Sequence, residues 1–351
     1  MTMPPSEDFE NFLDKTAQDC GAISACSLDM TSSVFKVLVN EHTKRVDQWL
    51  EDGYGADLQY LYRQQEEKAA PWQTFSEFPS IITITFNNDW GEIDAEHPFP
   101  PVADDAFVGY ISAYAKEQDY HRTGHAILRK IHEKLEDYYG EEIKADFAVD
   151  TRPVYERFFA EIGGLGVRGP NDLLRTPERD VRVFIGTLFL AKTLPQVIKK
   201  PKLRFPCKYC NACEKKCPTG AITKGQAFDT AKCSSYMSIE KKGVLNKQDR
   251  VYLEDWLFGC DWCTVVCPPK DKIDTRIPVD LEWLLKSSTG QIKRLIKGSA
   301  IEYAGVIQLR RNAIAILQGH AEQGNQKAQE LIDWTEKNTG SQLILDQTQT
   351  L

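Results

Sequence analysis

The sequence predicts an α+β protein in three parts: a mixed α/β domain over residues 1–195, a compact cysteine-rich domain over 196–275 and a small helical tail over 276–351. Three observations carry this reading. A β-branched run, Ser80-Ile-Ile-Thr-Ile-Thr-Phe86, lies between stretches of helical periodicity. Eight of the ten cysteines crowd between Cys207 and Cys267, and after Pro268-Pro269 leucine and isoleucine recur at helical spacing.

The elements follow in chain order. Over residues 1–60 apolar and charged positions alternate at helical spacing (Phe9, Phe12, Leu13; Val46, Trp49, Leu50), which predicts amphipathic helices. The run from Ser80 to Phe86 reads as a buried strand, Phe107 to Tyr139 as helical, and Ile143 to Val149 as a strand ending at Asp150. Pro195, Pro201 and Pro206 punctuate a lysine-rich linker. The tail repeats its apolar positions at Leu281, Leu284, Leu285, Ile292, Leu295 and Ile296, then over Ile307–Leu317 and Ala328–Trp334, as two or three hairpin-like units with a polar end after Gly340.

Bulk properties narrow the function. With 42% apolar residues in 351, a packed core is expected rather than disorder. The stretch Met1–Phe12 is polar and acidic and no long uncharged apolar run occurs, so a cytoplasmic protein without a membrane span is expected. A formal charge of -8 argues against indiscriminate attachment to nucleic acid. Two local basic stretches remain: Lys192–Lys216 has eight Lys or Arg against Glu214, and Lys286–Arg311 has six against Glu302.

In a reducing compartment, clustered thiols read as metal ligands rather than disulfides. Cys207-x2-Cys210-x2-Cys213-x3-Cys217-Pro218 is the bacterial ferredoxin run, in which three thiolates hold one 4Fe-4S cubane and the fourth reaches a second. Cys233, then Cys260-x2-Cys263-x3-Cys267-Pro268, repeats it with the opening cysteine displaced upstream. Exchange of the fourth ligand assigns Cys207, Cys210, Cys213 and Cys267 to one cluster and Cys233, Cys260, Cys263 and Cys217 to the other. Paired structural zinc sites are the alternative use of eight thiolates. Cys20 and Cys26 have no partner at ligand spacing and read as buried structural thiols.

Asp150 is the candidate acid, because an aspartate at a strand end beside an apolar wall has its pKa raised by burial. Followed by Thr-Arg-Pro and Glu156, it also reads as a helix N-cap. Tyr120 and His121 sit in a helical pattern with His125 and His132. Gly163-Gly-Leu-Gly166 and Gly169 permit close backbone approach to a planar cofactor or a phosphate, as they also permit ordinary turns.

Several stretches together resemble the epoxyqueuosine reductases, cobalamin-dependent enzymes with two 4Fe-4S clusters that act on tRNA. They are Ile111-Ser-Ala-Tyr-Ala-Lys-Glu-Gln-Asp-Tyr-His121, Val149-Asp-Thr-Arg-Pro-Val-Tyr-Glu156, Gly164-Leu-Gly166, the double cysteine motif, Cys233-Ser-Ser-Tyr-Met-Ser-Ile-Glu240, Gly259-Cys-Asp-Trp-Cys263, Gly298-Ser-Ala-Ile301 and Leu309-Arg-Arg-Asn-Ala313. The resemblance implies an α/β domain that binds cobalamin without its lower base, clusters near the corrin, and a HEAT-like tail that helps hold tRNA. It implies Asp150 as catalytic acid and cofactor contacts from Tyr120 and His121; Gly164, Gly166 and Arg168 of the glycine-rich stretch are expected as further cofactor contacts. The implied reaction is reduction of epoxyqueuosine to queuosine at the anticodon wobble position, with electrons from an external low-potential donor. The tRNA surface would use Lys199, Lys200, Lys202, Arg204, Lys293, Arg294, Lys297, Arg310 and Arg311.

The chain departs from the family pattern at Gly164-Leu-Gly-Val-Arg-Gly-Pro-Asn171, where Pro170 replaces a lysine and Arg168 is added. That departure opens a second reading, a related cobalamin-dependent reductase of a small molecule. A third is an electron-transfer or corrinoid-activating iron-sulfur protein with no substrate of its own.

Overall fold

The computed structural model describes residues 6–87, 97–116, 118–203, 205–223, 225–267 and 276–350. The strands among them are β1 (Ala22–Asp29), β2 (Ser80–Asn87), β3 (Val108–Ile111), β4 (Ala145–Ala148), β5 (Val167–Arg168), β6 (Leu174–Arg175), β7 (Val183–Leu190), β8 (Trp256–Phe258) and β9 (Ile277–Asp280). The α-helices are α1 (Ser6–Cys20), α2 (Ser33–Glu51), α3 (Gln59–Arg63), α4 (Gln65–Ala69), α5 (Pro71–Thr74), α6 (Tyr120–Tyr139), α7 (Glu156–Ile162), α8 (Ala212–Lys216), α9 (Lys247–Leu253), α10 (Trp262–Val265), α11 (Leu281–Lys286), α12 (Thr289–Ile296), α13 (Gly305–Glu322), α14 (Gln326–Asn338) and α15 (Gln342–Thr348). They gather into two compact units, Met1–Asp89 with Tyr120–Asn211 and Cys267–Pro269, and Trp90–Asp119 with Ala212–Val266 and Lys270–Leu351.

The first unit is an antiparallel sheet in the order β1-β2-β7-β4, covered on both faces. Successive side chains of a strand point to opposite faces, so Ala25, Ile82 and Leu188 enter one core and Cys26, Ile81 and Phe189 the other. Phe9, Leu13 and Ala17 of α1, four residues apart, close the first core with Ile127, Leu128, Ile131 and Leu135 of α6. Phe35 and Val39 of α2 and Phe158 and Phe159 of α7 close the second. Burial of each large apolar side chain contributes roughly 1.5–3 kcal/mol. Two covered faces explain why β2 reads as an unbroken apolar run rather than an alternating one.

Two expectations differ from the structure. β1 lies inside the stretch read as wholly helical, and β3 inside Phe107–Tyr139. Both owe their form to pairing with distant partners: β1 joins β2 from Ala22↔Phe86 to Asp29↔Ser80, and β3 joins β8 and β9. Local propensity does not register such pairing. Cys20 and Cys26 are buried, and burial pushes the Cys26 thiol up to about 12, as inert structural thiols require.

The second unit sets β3 parallel to β8 and antiparallel to β9 beside a helical array centred on α13. Here α13 buries Leu309, Ala313, Ile316 and Leu317, while α14 buries Leu331 and Ile332 and α15 buries Ile344. Side chains satisfy the helix starts: Asp280 accepts from the backbones of Glu282 and Trp283 at 2.8 and 3.2 Å, and reciprocal capping boxes open α9 (Asn246, Asp249) and α12 (Ser288, Gln291). Among the described residues no helix is long and apolar enough to cross a membrane.

Candidate active site and cluster segments

In the first unit, α6 begins at Tyr120 and β4 ends just before Asp150. Tyr120 stacks with both Phe184 and His121, each ring centroid 4.1 Å away, and its hydroxyl donates to Asp150 Oδ2 at 2.9 Å. Asp150 takes a left-handed backbone conformation (φ 54°) that turns it out of the strand direction and leaves it exposed. The burial expected at this position is therefore not met, and the N-cap of α7 is Tyr155 rather than Asp150.

The carboxyl under burial stress is Glu156, six residues on. It folds back so that the Asp150 backbone N–H donates to Oε1 and Oε2 at 3.0 and 3.2 Å. Burial, then the neighbouring Asp150 charge, push its pKa up from 4.5 to about 8. Lys68 is buried within electrostatic reach of Asp150 and Glu156, and burial lowers its pKa. Arg157 donates to Asp172 Oδ2 at 2.6 Å and feels the Asp150 charge. Glu156 keeps some accessible surface, and the Arg157 side chain is half-exposed.

Arg168 belongs to this network: its Nε donates to Glu161 Oε2 at 2.8 Å and its Nη1 to Asp172 Oδ1 at 3.4 Å. A Cβ at Gly164 (φ 76°) would fall 1.8 Å from the Lys199 carbonyl oxygen, and one at Gly166 would fall 2.5 Å from that of Arg175. The close approach these glycines permit is therefore to the chain itself. On the sheet face toward α7, Thr83 and Thr187 are cross-strand partners and Thr85 follows two residues on. The buried hydroxyls of Thr85 and Thr187, like His42 Nδ1, have no hydrogen-bond partner. Each such orphan costs about 1–3 kcal/mol unless a ligand or water satisfies it. His42 lies between Phe158 (4.1 Å, stacked) and Tyr155 (4.7 Å), and burial drives its pKa down to about 3.

The second unit holds Cys217, Cys233, Cys260 and Cys263, the four assigned to one cluster. Burial raises the Cys233 and Cys260 thiols; Cys233 lies within electrostatic reach of Cys217, and Cys260 within reach of Cys263 and Cys233. A single turn of π-helix, Tyr236–Glu240, follows Cys233. Asp261, between Cys260 and Trp262, accepts from the Ser112 hydroxyl and from Ala113 N at 2.9 Å, while a Cβ at Gly259 (φ 73°) would lie 2.5 Å from Ser112 Cβ. These contacts seat the Gly259–Cys263 segment on the end of β3. Pairwise electrostatic reach thus links Cys217 to Cys233, and Cys233 and Cys263 to Cys260, while no three ligating side chains converge on a single metal-ion position among the described residues.

Arg311 and Asn312 brace the same segments. Arg311 donates to the carbonyls of Met237, Lys241 and Gly243, and Asn312 to those of Ser238 and Leu257 at 2.9 and 2.8 Å. Arg311 is 1% exposed and burial lowers its pKa to about 10, so its place on the tRNA surface is withdrawn. Arg310 is half-buried and donates to the Leu284 and Ser287 carbonyls, and Lys199 is neutralised by Glu10 and Asp14 at 2.8 and 2.7 Å. Lys200, Lys202, Lys293, Arg294 and Lys297 are exposed; Arg204 lies outside the described residues.

In the first unit, Cys207 and Cys267 share a neighbour absent from the sequence reading. Arg175, 2% exposed, donates to Asp180 Oδ1 at 2.9 Å, to the Phe205 carbonyl and to Cys207 Sγ at 3.8 Å, with Cys267 in electrostatic reach. Burial opposes its charge, but the hydrogen bonds to Asp180 and Cys207 more than offset this and hold its pKa above the ordinary value.

Residues 206–270 match the 4Fe-4S double cluster binding domain, and residues 68–151 match the family described as epoxyqueuosine reductase QueG, DUF1730. The epoxyqueuosine reductase of Francisella cf. novicida is 31% identical over 305 residues, 84% of each chain, and that of Escherichia coli K12 is 28% identical over 296 residues, 81% of this chain and 75% of the other. Among solved structures, an epoxyqueuosine reductase from Streptococcus thermophilus superposes with a TM-score of 0.75 at 19% identity, covering 97% of this chain and 88% of that one. A selenomethionine-labelled epoxyqueuosine reductase reaches 0.79 at 20% identity, covering 98% and 89%. With its α+β fold, its double-cluster domain and a relative this similar over most of both chains, the protein belongs to the epoxyqueuosine reductase family of oxidoreductases.

Proposed function

We propose that this chain reduces epoxyqueuosine to queuosine at the wobble position of a tRNA anticodon, using two 4Fe-4S clusters and cobalamin. The observation that carries the reading is the Tyr120 hydroxyl on Asp150 Oδ2 at 2.9 Å, with Glu156 folded against the same residue. Removing an epoxide oxygen as water and leaving a carbon–carbon double bond takes two electrons and two protons. Tyr120 engages Oδ2, so Oδ1 is the atom through which the exposed Asp150 carboxylate passes a proton, taken up from solvent, to the departing oxygen. Glu156, protonated up to about pH 8, holds the second proton beside it. Lys68 and Arg157 place positive charge beside these carboxyls.

Cobalamin, when bound, supplies a low-potential cobalt centre through which electrons from the clusters reach the substrate. Tyr120, His121 and Arg168, which keep accessible surface in this unit, are the side chains we assign to its periphery. Gly164 and Gly166 act by holding the loop that carries Arg168. In this division residues 1–195 hold the cofactor and substrate, 196–275 the clusters, and 276–351 the RNA. An external low-potential donor loads the clusters. Lys293, Arg294 and Lys297, and separately Lys200 and Lys202, meet tRNA phosphates. The test is Asp150→Asn in the fully loaded enzyme: retained tRNA and cofactor binding with turnover down roughly a hundredfold or more is expected, and full turnover would remove Asp150 from the chemistry.

A further inference from the structure

We propose that Arg175 sets the reduction potential of the cluster to which Cys207 and Cys267 belong, holding it above the value that its cysteines alone would give. The inference rests on the double-cluster domain and not on the substrate. A 4Fe-4S cluster takes up one electron without a proton, so reduction adds one negative charge beside its thiolates. A fixed cation at that place favours the reduced form, and a buried one is little screened by solvent. Arg175 is such a cation: 2% exposed, 3.8 Å from Cys207 Sγ and within electrostatic reach of Cys267.

Its position is clamped. The guanidinium is fixed by Asp180 and by the Phe205 carbonyl, and the Arg175 carbonyl packs so tightly on Gly166 that no Cβ fits there. Arg311 shows what a purely structural buried arginine does in this fold, with its guanidinium on backbone carbonyls and an amide oxygen. Arg175 instead directs Nη1 at a cluster thiol. Asp180 partly offsets the charge, which gives the device a second handle of opposite sign.

The experiment is an anaerobic redox titration of the holoprotein with dithionite, followed by electron paramagnetic resonance, in the wild type, Arg175→Met, Arg175→Lys and Asp180→Asn. At the potential where this cluster is half reduced in the wild type, Arg175→Met should lower its reduced-to-oxidised ratio at least tenfold, a shift of about 59 mV for one electron. The second cluster should keep its midpoint, and Arg175→Lys should restore most of the loss. Asp180→Asn should shift the same cluster upward. Unchanged midpoints in an iron-replete Arg175→Met protein would overturn the proposal. If that variant loses iron, Asp180→Asn decides: an upward shift supports the proposal, and no shift or a downward one overturns it.

Discussion

Replacing Glu156 with glutamine removes a carboxyl whose pKa stands at about 8 in the folded protein against 4.5 ordinarily. The folded value is the higher one, so the group's stabilising contribution is fully present below about pH 4.5 and is lost as pH rises through about 8. From about pH 7 to about pH 9 the loss amounts to about 1.4 kcal/mol, an upper figure because part of the carboxylate meets water. At roughly 2–4 °C per kcal/mol for a body of this size, the wild type should lose about 3–5 °C more melting temperature over that interval than Glu156→Gln. The glutamine still accepts the Asp150 N–H, so the loop stays in place. Scanning calorimetry on both proteins at matched iron content reads the difference directly. Parallel melting curves across that range would refute a protonated Glu156, and with it the second proton source.

Other outcomes follow from the same geometry. Tyr120→Phe deletes the 2.9 Å hydrogen bond to Asp150 and should lower kcat roughly tenfold, the loss of about 1–1.5 kcal/mol, with cofactor content unchanged by metal analysis. The wild type should bind about eight iron per chain, and Cys260→Ala should drop this to about four with one paramagnetic signal gone. Substituting Lys293, Arg294 and Lys297 together by glutamine should reduce the log–log salt slope of tRNA affinity by roughly three, measured by fluorescence anisotropy. Arg311→Gln should leave that slope alone and instead destabilise the second unit by roughly 3 kcal/mol or more, because it removes the buried guanidinium that holds the carbonyls of Met237, Lys241 and Gly243 together.

Much of this was legible in the sequence, for physical reasons that also mark where reading stops. Cysteine spacing is set by the cubane itself, so the double-cluster domain could be read directly. The run Ser80–Phe86 announced β2 because a strand buried on both faces is apolar throughout. β1 could not be seen, since Ala22–Asp29 is small and mixed in character and becomes a strand only by pairing with β2. Glu156 at the start of α7 looked like an ordinary acid at a helix N-terminus. Its function arises because Asp150 turns left-handed and presents its N–H to it. The sequence places Arg310 and Arg311 on the expected tRNA surface, yet Arg311 shares a helix face with Gln308 and Asn312 that is turned onto backbone carbonyls. Arg175 carried no sequence signal beside the cysteines, thirty-odd positions upstream of Cys207, because the hairpin of β5 and β6 alone brings it there.

The central claim is tested most directly by one anaerobic incubation. The iron-replete, cobalamin-loaded protein is given reductant and tRNA bearing epoxyqueuosine, and the digested nucleosides are weighed by mass spectrometry. Conversion to a product lighter by one oxygen atom, abolished in Asp150→Asn, is the expected result. Intact epoxyqueuosine after incubation with a protein that holds both clusters and cobalamin and binds the tRNA would contradict it.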